Sequence, residues 1–326
     1  METVFFESAE DRHAQLVGGV TALERRVREV AKQGATRAVV AGAQVAFPRA
    51  LPIPVEFVAP GSPAPEGARR ERADVVAGIE LVDAEANRRA EWALIRGLNK
   101  SFQGPVDALI NWRFSMRITR MLARRSLAIT PNHVTMLSIL VGITASLLIL
   151  QRSYATLALG GVLLEVQSIL DSVDGELARL RFQYSKLGQW LDNLSDDVVD
   201  NLFIISAGSL VGGAWLWVAI VAAGARLLNN VVQYLDTYRR TGTGDAFAFR
   251  YWFEKETASA DELYKPADLS TWLRSLGRRD TYVFMWMLAC VCNFPYWVVG
   301  HAVVIAAIVI TLLVAHYAIK ASRRRR

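Results

Sequence analysis

Long apolar stretches alternate with charged segments from about Thr135 onward, whereas residues 1–130 have a mixed polar sequence. A bilayer core about 30 Å thick is crossed by roughly 20 apolar residues of α-helix. Because a backbone inside a bilayer must satisfy its own hydrogen bonds, we predict an all-α polytopic membrane domain with six transmembrane helices. The predicted helices cover residues 134–151, 155–172, 194–211, 213–235, 281–297 and 298–319.

Basic residues are distributed unevenly between the segments that connect these stretches. If the N-terminus lies inside, Arg152 is the one basic residue of the outer loops at 152–154, 210–213 and 295–299. The inner segments are rich in basic residues: Arg124, Arg125, Arg179, Arg181, Lys186, Arg239, Arg240, Arg278, Arg279 and residues 323–326. Because this excess marks the cytoplasmic side, we expect an integral protein of a bacterial-type inner membrane with both termini cytoplasmic. The net charge of +6 then reflects contact with lipid, and no nucleic acid is expected as a partner.

Three regions follow from the contrast between polar and apolar sequence. They are a small soluble domain at residues 1–95, a linker at 96–130 and the six-span domain at 131–322. Within the linker, residues 107–125 have the pattern of a basic amphipathic helix, which is typical of the cytoplasmic membrane interface. An ordinary connector helix with one solvated face has the same pattern. A long loop at 236–280 has room for a further short interfacial helix.

The N-terminal domain has the mixed pattern of an α/β fold. Short apolar runs that predict strands lie at residues 3–6, 38–41 and 55–58, and apolar residues at helical spacing lie at 19–32 and 85–98. About 95 residues suffice for a small domain, so we expect these elements to pack around a core of their own.

Four aspartates lie in two close pairs in residues 171–196, DSVDGELARLRFQYSKLGQWLDNLSD. Asp171 and Asp174 are three positions apart, so they face the same side of one helix. Asp192 and Asp196 are four positions apart, with the same consequence on the next helix. The segment between the two pairs is long enough to turn the chain back. We therefore expect all four carboxylates to converge at the cytoplasmic ends of two membrane helices.

Such a concentration of acids at membrane depth is costly and is usually functional. Four carboxylates that face one another repel each other unless cations neutralise them. Hard divalent cations such as Mg²⁺ or Mn²⁺ prefer oxygen ligands, and two such ions can stabilise the entering and leaving oxygens of a phosphoryl displacement. The spacing therefore favours a two-metal site, although aspartates on solvated helix ends would show the same spacing without a metal.

The same stretch resembles the signature of the CDP-alcohol phosphotransferase family, DxxDGxxARx8GxxxDxxxD, at every specified position. The matching residues are Asp171, Asp174, Gly175, Ala178, Arg179, Gly188, Asp192 and Asp196. Upstream, the run PNHVT at residues 131–135 is similar to the Pro-Asn-x-x-Thr that opens the first span of this family. The resemblance covers roughly residues 95–320 and implies six spans preceded by an interfacial helix.

The resemblance also implies a role for each matching residue. Asp171, Asp174 and Asp192 are expected to bind two divalent metal ions, Mg²⁺ or Mn²⁺. Asp196 is expected to ligate the second ion and to act as the general base toward the acceptor hydroxyl, in an active site on the cytoplasmic side. The residues expected to bind the CDP group are Gly175, Ala178, Arg179, Ser185, Gly188, Asn132 and Thr135. For the last two, a helix cap at the membrane surface is the alternative.

The implied reaction is transfer of a phosphate-linked alcohol from a CDP-alcohol to an acceptor hydroxyl, with release of CMP. Most bacterial members use CDP-diacylglycerol, so phosphatidyl transfer to a polar alcohol in phospholipid biosynthesis is the first expectation, with membrane lipid as a partner. Within the family, the alternative is a soluble CDP-inositol-type donor joined to an inositol phosphate or another polyol. A catalytically inactive membrane scaffold and a cation-coupled transporter are alternatives of other classes. Many members pair through their spans, so a homodimer is also implied.

A phosphorylated acceptor would need basic residues near the site. Arg226 is the first candidate because it lies inside the fourth predicted span, where an unpaired charge is costly. Arg239 and Arg240 are the next candidates for binding the acceptor. For Arg226 the alternative is snorkelling toward the interface, or pairing with Asp197 or Asp200.

The N-terminal domain has a resemblance of its own. Residues 16–42, LVGGVTALERRVREVAKQGATRAVVAG, are similar to a sugar-nucleotidyltransferase fold, as it occurs fused to the inositol-phosphate branch of the same family. The glycine-rich nucleotide loop expected before such a helix is absent from the sequence. The resemblance therefore implies a degenerate, non-catalytic domain and favours an inositol-type alcohol as a substrate. A plain interaction or dimerisation domain is the alternative.

Overall fold

A computed structural model describes residues 2–7, 12–98, 105–125, 128–241, 249, 251–252 and 277–324. The chain divides by its internal contacts into two compact units. The first comprises Met1–Asn99, Thr119–Ala128 and Arg179–Phe182, and the second comprises Lys100–Ile118, Ile129–Ala178 and Gln183–Arg326. We call the first the α/β unit and the second the helical unit.

A parallel sheet forms the centre of the α/β unit. Its strands are β1 (Glu2–Glu7), β4 (Ala35–Ala41), β5 (Val55–Val58) and β6 (Arg69–Arg72), in the order β5-β4-β1-β6. Two short antiparallel pairs are β2 (Leu16–Val17) with β3 (Val20–Thr21), and β7 (Val75–Val76) with β8 (Ile79–Glu80). The helices are a 3-10 turn (Arg12–Ala14), α1 (Ala22–Lys32) and α2 (Ala84–Gly97). The predicted α/β composition of this region is confirmed.

Alternating side chains of β1 are buried on the two faces of the sheet. Val4 and Phe6 lie in one apolar cluster with Leu23 and Val27 of α1, whereas Phe5 lies in a separate cluster. This alternation has the period of two that a strand imposes on its side chains. Both faces of β1 therefore contribute to the core, which explains why its central residues are apolar without interruption.

The helix predicted at residues 19–32 begins later, at Ala22. Gly18 and Gly19 have φ angles of +57° and +77° and form the tight turn between β2 and β3. Glycine adopts these angles without the steric cost that a Cβ would bring. The side chain of Thr21 then caps α1, because Thr21 Oγ1 accepts a hydrogen bond from the backbone N–H of Glu24 at 3.2 Å.

The amphipathic helix predicted at residues 107–125 is present as a π-helical turn (Asp107–Asn111) followed by α3 (Trp112–Arg125). Three of its buried residues are polar, namely Asn111, Ser115 and Thr119, and a fourth is Ala123. Ser115 Oγ donates to Glu176 Oε1 at 2.5 Å, and Asn111 Nδ2 lies 3.5 Å from Ser168 Oγ. Hydrogen bonds thus attach the first part of this helix to the helical unit, and its position at a membrane interface stays a prediction.

Among the described residues, six further helices build the helical unit. They are α4 (Pro131–Ile149), α5 (Tyr154–Arg181), α6 (Lys186–Val211), α7 (Ala214–Thr241), α8 (Arg279–Val291) and α9 (Tyr296–Arg324). An apolar core in this unit contains Phe203, Trp286 and Val299, and the rings of Phe203 and Trp286 are stacked 6.1 Å apart. The helical fold class predicted for this region is confirmed.

Four of these helices are long and apolar enough to cross a bilayer: α4, α5, α7 and α9. α6 has 26 residues, but Asp196, Asp197 and Asp200 add charge to its apolar half. α8 has 13 residues and is therefore only about 20 Å long. The structure supports four spans among the described residues, and six spans remain a prediction.

The helix predicted at residues 281–297 ends earlier than predicted. α8 ends at Val291, and Asn293 has a φ angle of +56° in the turn before α9 begins at Tyr296. An asparagine in the left-handed region is typical of a helix end, since its short polar side chain tolerates that conformation. The predicted loop at 236–280 begins only after Thr241, because α7 continues to that residue. The interfacial helix proposed for this loop lies outside the described residues.

Candidate active site

Three of the four predicted metal-binding aspartates come together at the paired ends of α5 and α6. Asp171 and Asp174 lie on α5 and Asp192 lies on α6, and one carboxylate oxygen of each is within 4.8 Å of the others. The spacing of three residues places the first two on one helix face, and the turn at residues 182–185 returns α6 toward them. We call these three residues the carboxylate triad.

The donor set of the triad fits a hard divalent cation. Asp192 Oδ1 is buried and has no hydrogen-bond partner among the residues that the structure describes. Thr135 on α4 donates from Oγ1 to Asp174 Oδ2 at 2.5 Å, which helps to orient that carboxylate. Carboxylate oxygens held within a few ångströms of one another are ligands that Mg²⁺ and Mn²⁺ prefer. The residues present therefore fit the metal that the sequence predicts.

Asp196 has a different environment, one turn further along α6. Its Oδ1 lies 3.0 Å from Nη1 of Arg279 and 3.4 Å from Nε2 of Gln167. Arg279 is the first residue of α8 and is also within 3.8 Å of Asp171. Asp196 therefore differs from the triad in its contact with Arg279. The guanidinium group lies 3.0 Å from Asp196 but 3.8 Å from Asp171.

Arg279 is the centre of a hydrogen-bonded network that sequence reasoning missed. It donates to Gln167 Oε1 at 2.7 Å and to Asp200 Oδ1 at 3.2 Å, in addition to its contact with Asp196. Gln167 in turn donates to Ser138 of α4 at 3.0 Å. The sequence placed Arg279 only among the basic residues of the inner segments. Its position at the start of an apolar helix could have identified it, because a charged residue at such a position usually has a partner of opposite charge.

Arg226, the first acceptor candidate, is engaged by Asp200, one of the two partners given as its alternative. Its Nη2 lies 3.5 Å from Asp200 Oδ2 and donates to Tyr282 Oη at 3.1 Å. Tyr282 Oη donates to the same Asp200 oxygen at 2.5 Å, and the Arg226 guanidinium lies over the rings of Tyr282 and Trp286. The other possible partner, Asp197, is held instead by Asn230 and Tyr234.

Arg239 and Arg240, the other acceptor candidates, lie in the last turn of α7 and are exposed. Arg240 forms an ion pair with Asp236 at 2.6 Å and lies 5.8 Å from the ring centre of Phe249. A partly exposed ion pair of this kind contributes only about 0.2–1 kcal/mol to stability. The phosphate of an acceptor would therefore compete with Asp236 for Arg240.

The residues expected to bind CDP fall into two groups. Asn132 and Ser185 lie together at Gly188, where an added Cβ would be 2.8 Å from Ser185 Oγ and 3.2 Å from Asn132 Oδ1. Ser185 also caps α6, since its Oγ accepts from the Gly188 N–H at 2.9 Å. The other group follows the triad along α5: Gly175, Ala178 and Arg179.

The helix-cap alternative for Asn132 and Thr135 does not hold. Thr130 occupies the N-cap position of α4, and the helix begins at Pro131. Asn132 is therefore inside the first turn with an exposed side chain, and Thr135 is buried against Asp174. The Thr135 side chain is thus directed toward Asp174, and that of Asn132 lies near Gly188.

Comparison with known proteins gives the identity of the helical unit. The family model of CDP-alcohol phosphatidyltransferase matches residues 128–314. A bifunctional IPC transferase and DIPP synthase of Thermococcus kodakarensis is 32% identical over 208 residues, which cover 63% of this chain and 41% of the relative. A protein of the same name from Archaeoglobus fulgidus is 28% identical over 239 residues, covering 72% of this chain and 43% of the relative.

A shorter match is with the archaetidylinositol phosphate synthase of Pyrococcus horikoshii, which is 39% identical over 97 residues, 29% of this chain and 49% of the relative. The chain therefore spans less than half the length of these curated relatives. The family model, by contrast, covers more than half of the chain and includes every residue of the carboxylate triad. The chain belongs to the CDP-alcohol phosphatidyltransferase family and is an integral membrane enzyme of the CDP-alcohol phosphotransferase class.

Proposed function

We propose that this enzyme transfers a phosphate-linked inositol-type alcohol from a CDP-alcohol to the hydroxyl group of an inositol phosphate or another polyol, with release of CMP. The carboxylate triad is the observation that carries the proposal, because a family member needs such a group of oxygens to hold its metal ions. The name of the Pyrococcus relative refers to an inositol phosphate and supports the choice of alcohol. The N-terminal resemblance noted in the sequence points to the same branch of the family.

Phosphatidyl transfer from CDP-diacylglycerol, the first expectation, becomes the second candidate. Four apolar helices provide a surface on which a lipid donor could lie, and the name of the Pyrococcus relative includes a lipid, so this donor keeps specific support. Family membership as an enzyme argues against the transporter and scaffold alternatives.

The proposed mechanism assigns the metal to the triad. Asp171, Asp174 and Asp192 would hold divalent cations, Mg²⁺ or Mn²⁺, which supply stabilisation of the charge on the transferring phosphate and its leaving group. Thr135 keeps Asp174 in a fixed orientation through its 2.5 Å hydrogen bond. Asp196 is proposed to ligate the second ion as well, with the carboxylate that also contacts Arg279.

Asp196 is proposed as the general base. It accepts the proton of the acceptor hydroxyl while that oxygen forms a bond to the β-phosphorus, and the bond from this phosphorus to the oxygen of CMP breaks. Arg279 holds the Asp196 carboxylate at 3.0 Å and limits its rotation. Arg179 is proposed to bind the phosphates of the departing nucleotide, because a guanidinium group can donate to two phosphate oxygens at once.

The remaining residues are assigned to the binding of CDP and of the acceptor. Gly175, Ala178, Ser185, Gly188 and Asn132 are proposed to line the CDP site. Arg240 and Arg239, which are exposed, are proposed to attract a phosphorylated acceptor, whereas Arg226 is better explained by its pairing with Asp200. The unequal distribution of basic residues supports a cytoplasmic active site and cytoplasmic termini, and the homodimer stays an expectation from the family.

The test is a measurement of CMP release by the full chain purified in detergent. CDP-inositol and CDP-diacylglycerol are each supplied with inositol phosphate, glycerol phosphate, inositol or serine, with Mg²⁺, with Mn²⁺ and with EDTA. We expect metal-dependent release of CMP from CDP-inositol with inositol phosphate. Release only with CDP-diacylglycerol would move the assignment to phosphatidyl transfer, and release that persists in EDTA would overturn the metal-dependent mechanism.

A further inference from the structure

The end of α5 is built into the α/β unit. Arg179–Phe182, which closes this helix, clusters with Met1–Asn99 and with Thr119–Ala128. α5 is one continuous helix from Tyr154 to Arg181, so the segment held by the α/β unit directly continues the segment that carries Asp171 and Asp174. Contacts made by residues 179–182 therefore act on the end of the helix that carries these two aspartates, next to the turn at 182–185.

Arg181 anchors this segment on one side. Its side chain has no exposed surface, and its Nη2 donates to Leu122 O at 2.8 Å at the end of α3. The carbonyl oxygen of Arg181 accepts a hydrogen bond from Nη1 of Arg49, which lies in the loop between β4 and β5. The turn between β2 and β3 closes over the same side chain, since a Cβ added to Gly19 would be 3.1 Å from Arg181 Nε.

Phe182 anchors the segment on the other side. Its backbone has a φ angle of +55°, a conformation in which glycine is the usual residue at the end of a helix. A bulky residue persists in such a conformation when its surroundings determine it. The surroundings here are two arginines of α1: the guanidinium groups of Arg25 and Arg28 lie 5.5 Å and 5.0 Å from the centre of the Phe182 ring.

Arg25 stays charged at neutral pH. Burial lowers the pKa of the Arg25 guanidinium to about 10, which leaves it protonated below that pH. Arg25 is also fixed in place, since it donates to the carbonyl oxygen of Val17 at 2.7 Å, and Arg28 is paired with Glu24 at 2.9 Å. Two rigid cations facing one aromatic ring attract its π-electrons and hold the ring in one position.

We propose that the α/β unit is a positioning element, which clamps residues 181–182 through Arg49 and the pair Arg25 and Arg28 so that Arg179 is presented to the CDP group of the donor. A non-catalytic domain that orients a binding residue accounts for both its lack of a glycine-rich nucleotide loop and its attachment to this helix end. The inference rests on the proposed function for the role of Arg179, and the clamp itself is independent of it.

The first measurement of the test is hydrogen–deuterium exchange of peptides that cover residues 178–190 in the full chain. Phe182→Leu removes the aromatic ring, and Arg49→Ala removes the hydrogen bond to Arg181. We expect faster exchange across this turn in both variants, and wild-type exchange in Phe182→Tyr and Arg49→Lys, which keep a ring and a donor. Arg37→Ala is the matched control, because Arg37 is an exposed arginine of the same unit that pairs with Glu56.

The second measurement is steady-state kinetics of CMP release by the same variants. We expect Phe182→Leu to raise KM for the CDP-alcohol by about tenfold, equivalent to ~1.4 kcal/mol, with kcat and KM for the acceptor unchanged. Unchanged exchange in Phe182→Leu and Arg49→Ala, or an equal effect of Arg37→Ala, would overturn the clamp. Faster exchange with an unchanged donor KM would overturn the presentation of Arg179. If the wild type uses no CDP-alcohol, the proposed function fails, and the exchange experiment still decides the clamp.

Discussion

The buried acids of the α/β unit contrast with the carboxylate triad of the helical unit. In the α/β unit each has an arginine close by: Glu24 lies 2.9 Å from Arg28, and Glu91 lies 2.9 Å from Arg120 and 2.7 Å from Arg124. Such pairs satisfy the charge with the protein's own groups, and removing one partner leaves the other unpaired. These acids have a structural role, because their carboxylates face guanidinium groups of the same unit.

The triad in the helical unit has the opposite arrangement. The carboxylates of Asp171, Asp174 and Asp192 face each other within 4.8 Å, and the guanidinium of Arg279 approaches Asp171 only to 3.8 Å. Three like charges at this distance are unfavourable unless a cation joins them. This difference indicates how a candidate metal site can be distinguished from structural acids. The groups that each carboxylate faces, other carboxylates or guanidinium groups, are more informative than its burial.

The largest expected effect concerns two neighbouring aspartates of α6. Asp196→Asn should lower kcat by about 10²–10⁴-fold, because the amide cannot accept the proton of the acceptor hydroxyl. Asp197→Asn is the matched control, since Asp197 is satisfied by Asn230 and Tyr234 and should lose less than about threefold. CMP release under saturating donor and acceptor measures both. Equal losses in the two variants would remove the distinction between reacting and structural acids.

An intermediate effect is expected at Arg279, which connects the two kinds of acid. It contacts Asp196 of the proposed catalytic group and Asp200, which also pairs with Arg226. Arg279→Gln should lower kcat by about 10–10²-fold, corresponding to one or two lost charged hydrogen bonds.

Arg279→Lys should recover only part of this loss, because an ammonium group cannot reproduce the fork that reaches several acceptors. Arg117→Gln, which changes an exposed arginine of α3, is the control and should leave kcat unchanged. Wild-type kcat in Arg279→Gln would show that Asp196 keeps its orientation without Arg279, and the network would then be structural.

Local sequence patterns were sufficient for the elements whose determinants lie close together in the chain. The strand predicted at residues 55–58 is β5, because an apolar run bounded by turn residues is sufficient to specify it. The triad was predicted for the same reason: a spacing of three residues fixes the face of a helix, and one turn brings in Asp192.

Contacts between distant parts of the chain left no such pattern. Arg279 is 79 positions from Asp200 and 112 positions from Gln167, so no spacing rule connects them. The break between α8 and α9 was predicted at residues 295–299, a few residues too late, because hydropathy is continuous through residues 281–319, whereas the turn depends on the backbone at Asn293. The inclusion of Arg181 and Phe182 in the α/β unit likewise depends on Arg49 and α1, far away in sequence.

The smallest expected effect is on stability, and its sign differs between the units. Without metal, Asp192→Asn should raise the unfolding temperature, since one of three facing charges is removed. Glu91→Gln should lower it, because Arg120 and Arg124 lose their shared carboxylate. Both arginines are partly exposed, so a change of about 1 kcal/mol, or about 2–4 °C, is expected.

Addition of Mn²⁺ separates the two variants further. A ligand that binds only the folded protein stabilises it by about 2.7 kcal/mol at 100 times its Kd. The wild type and Glu91→Gln should therefore both gain stability with Mn²⁺, whereas Asp192→Asn should gain little, and thermal unfolding in detergent measures all three. If Asp192→Asn instead destabilised the metal-free protein as much as Glu91→Gln does, the triad would be balanced by the protein itself. The contrast between the two kinds of acid would then give no support to a metal site.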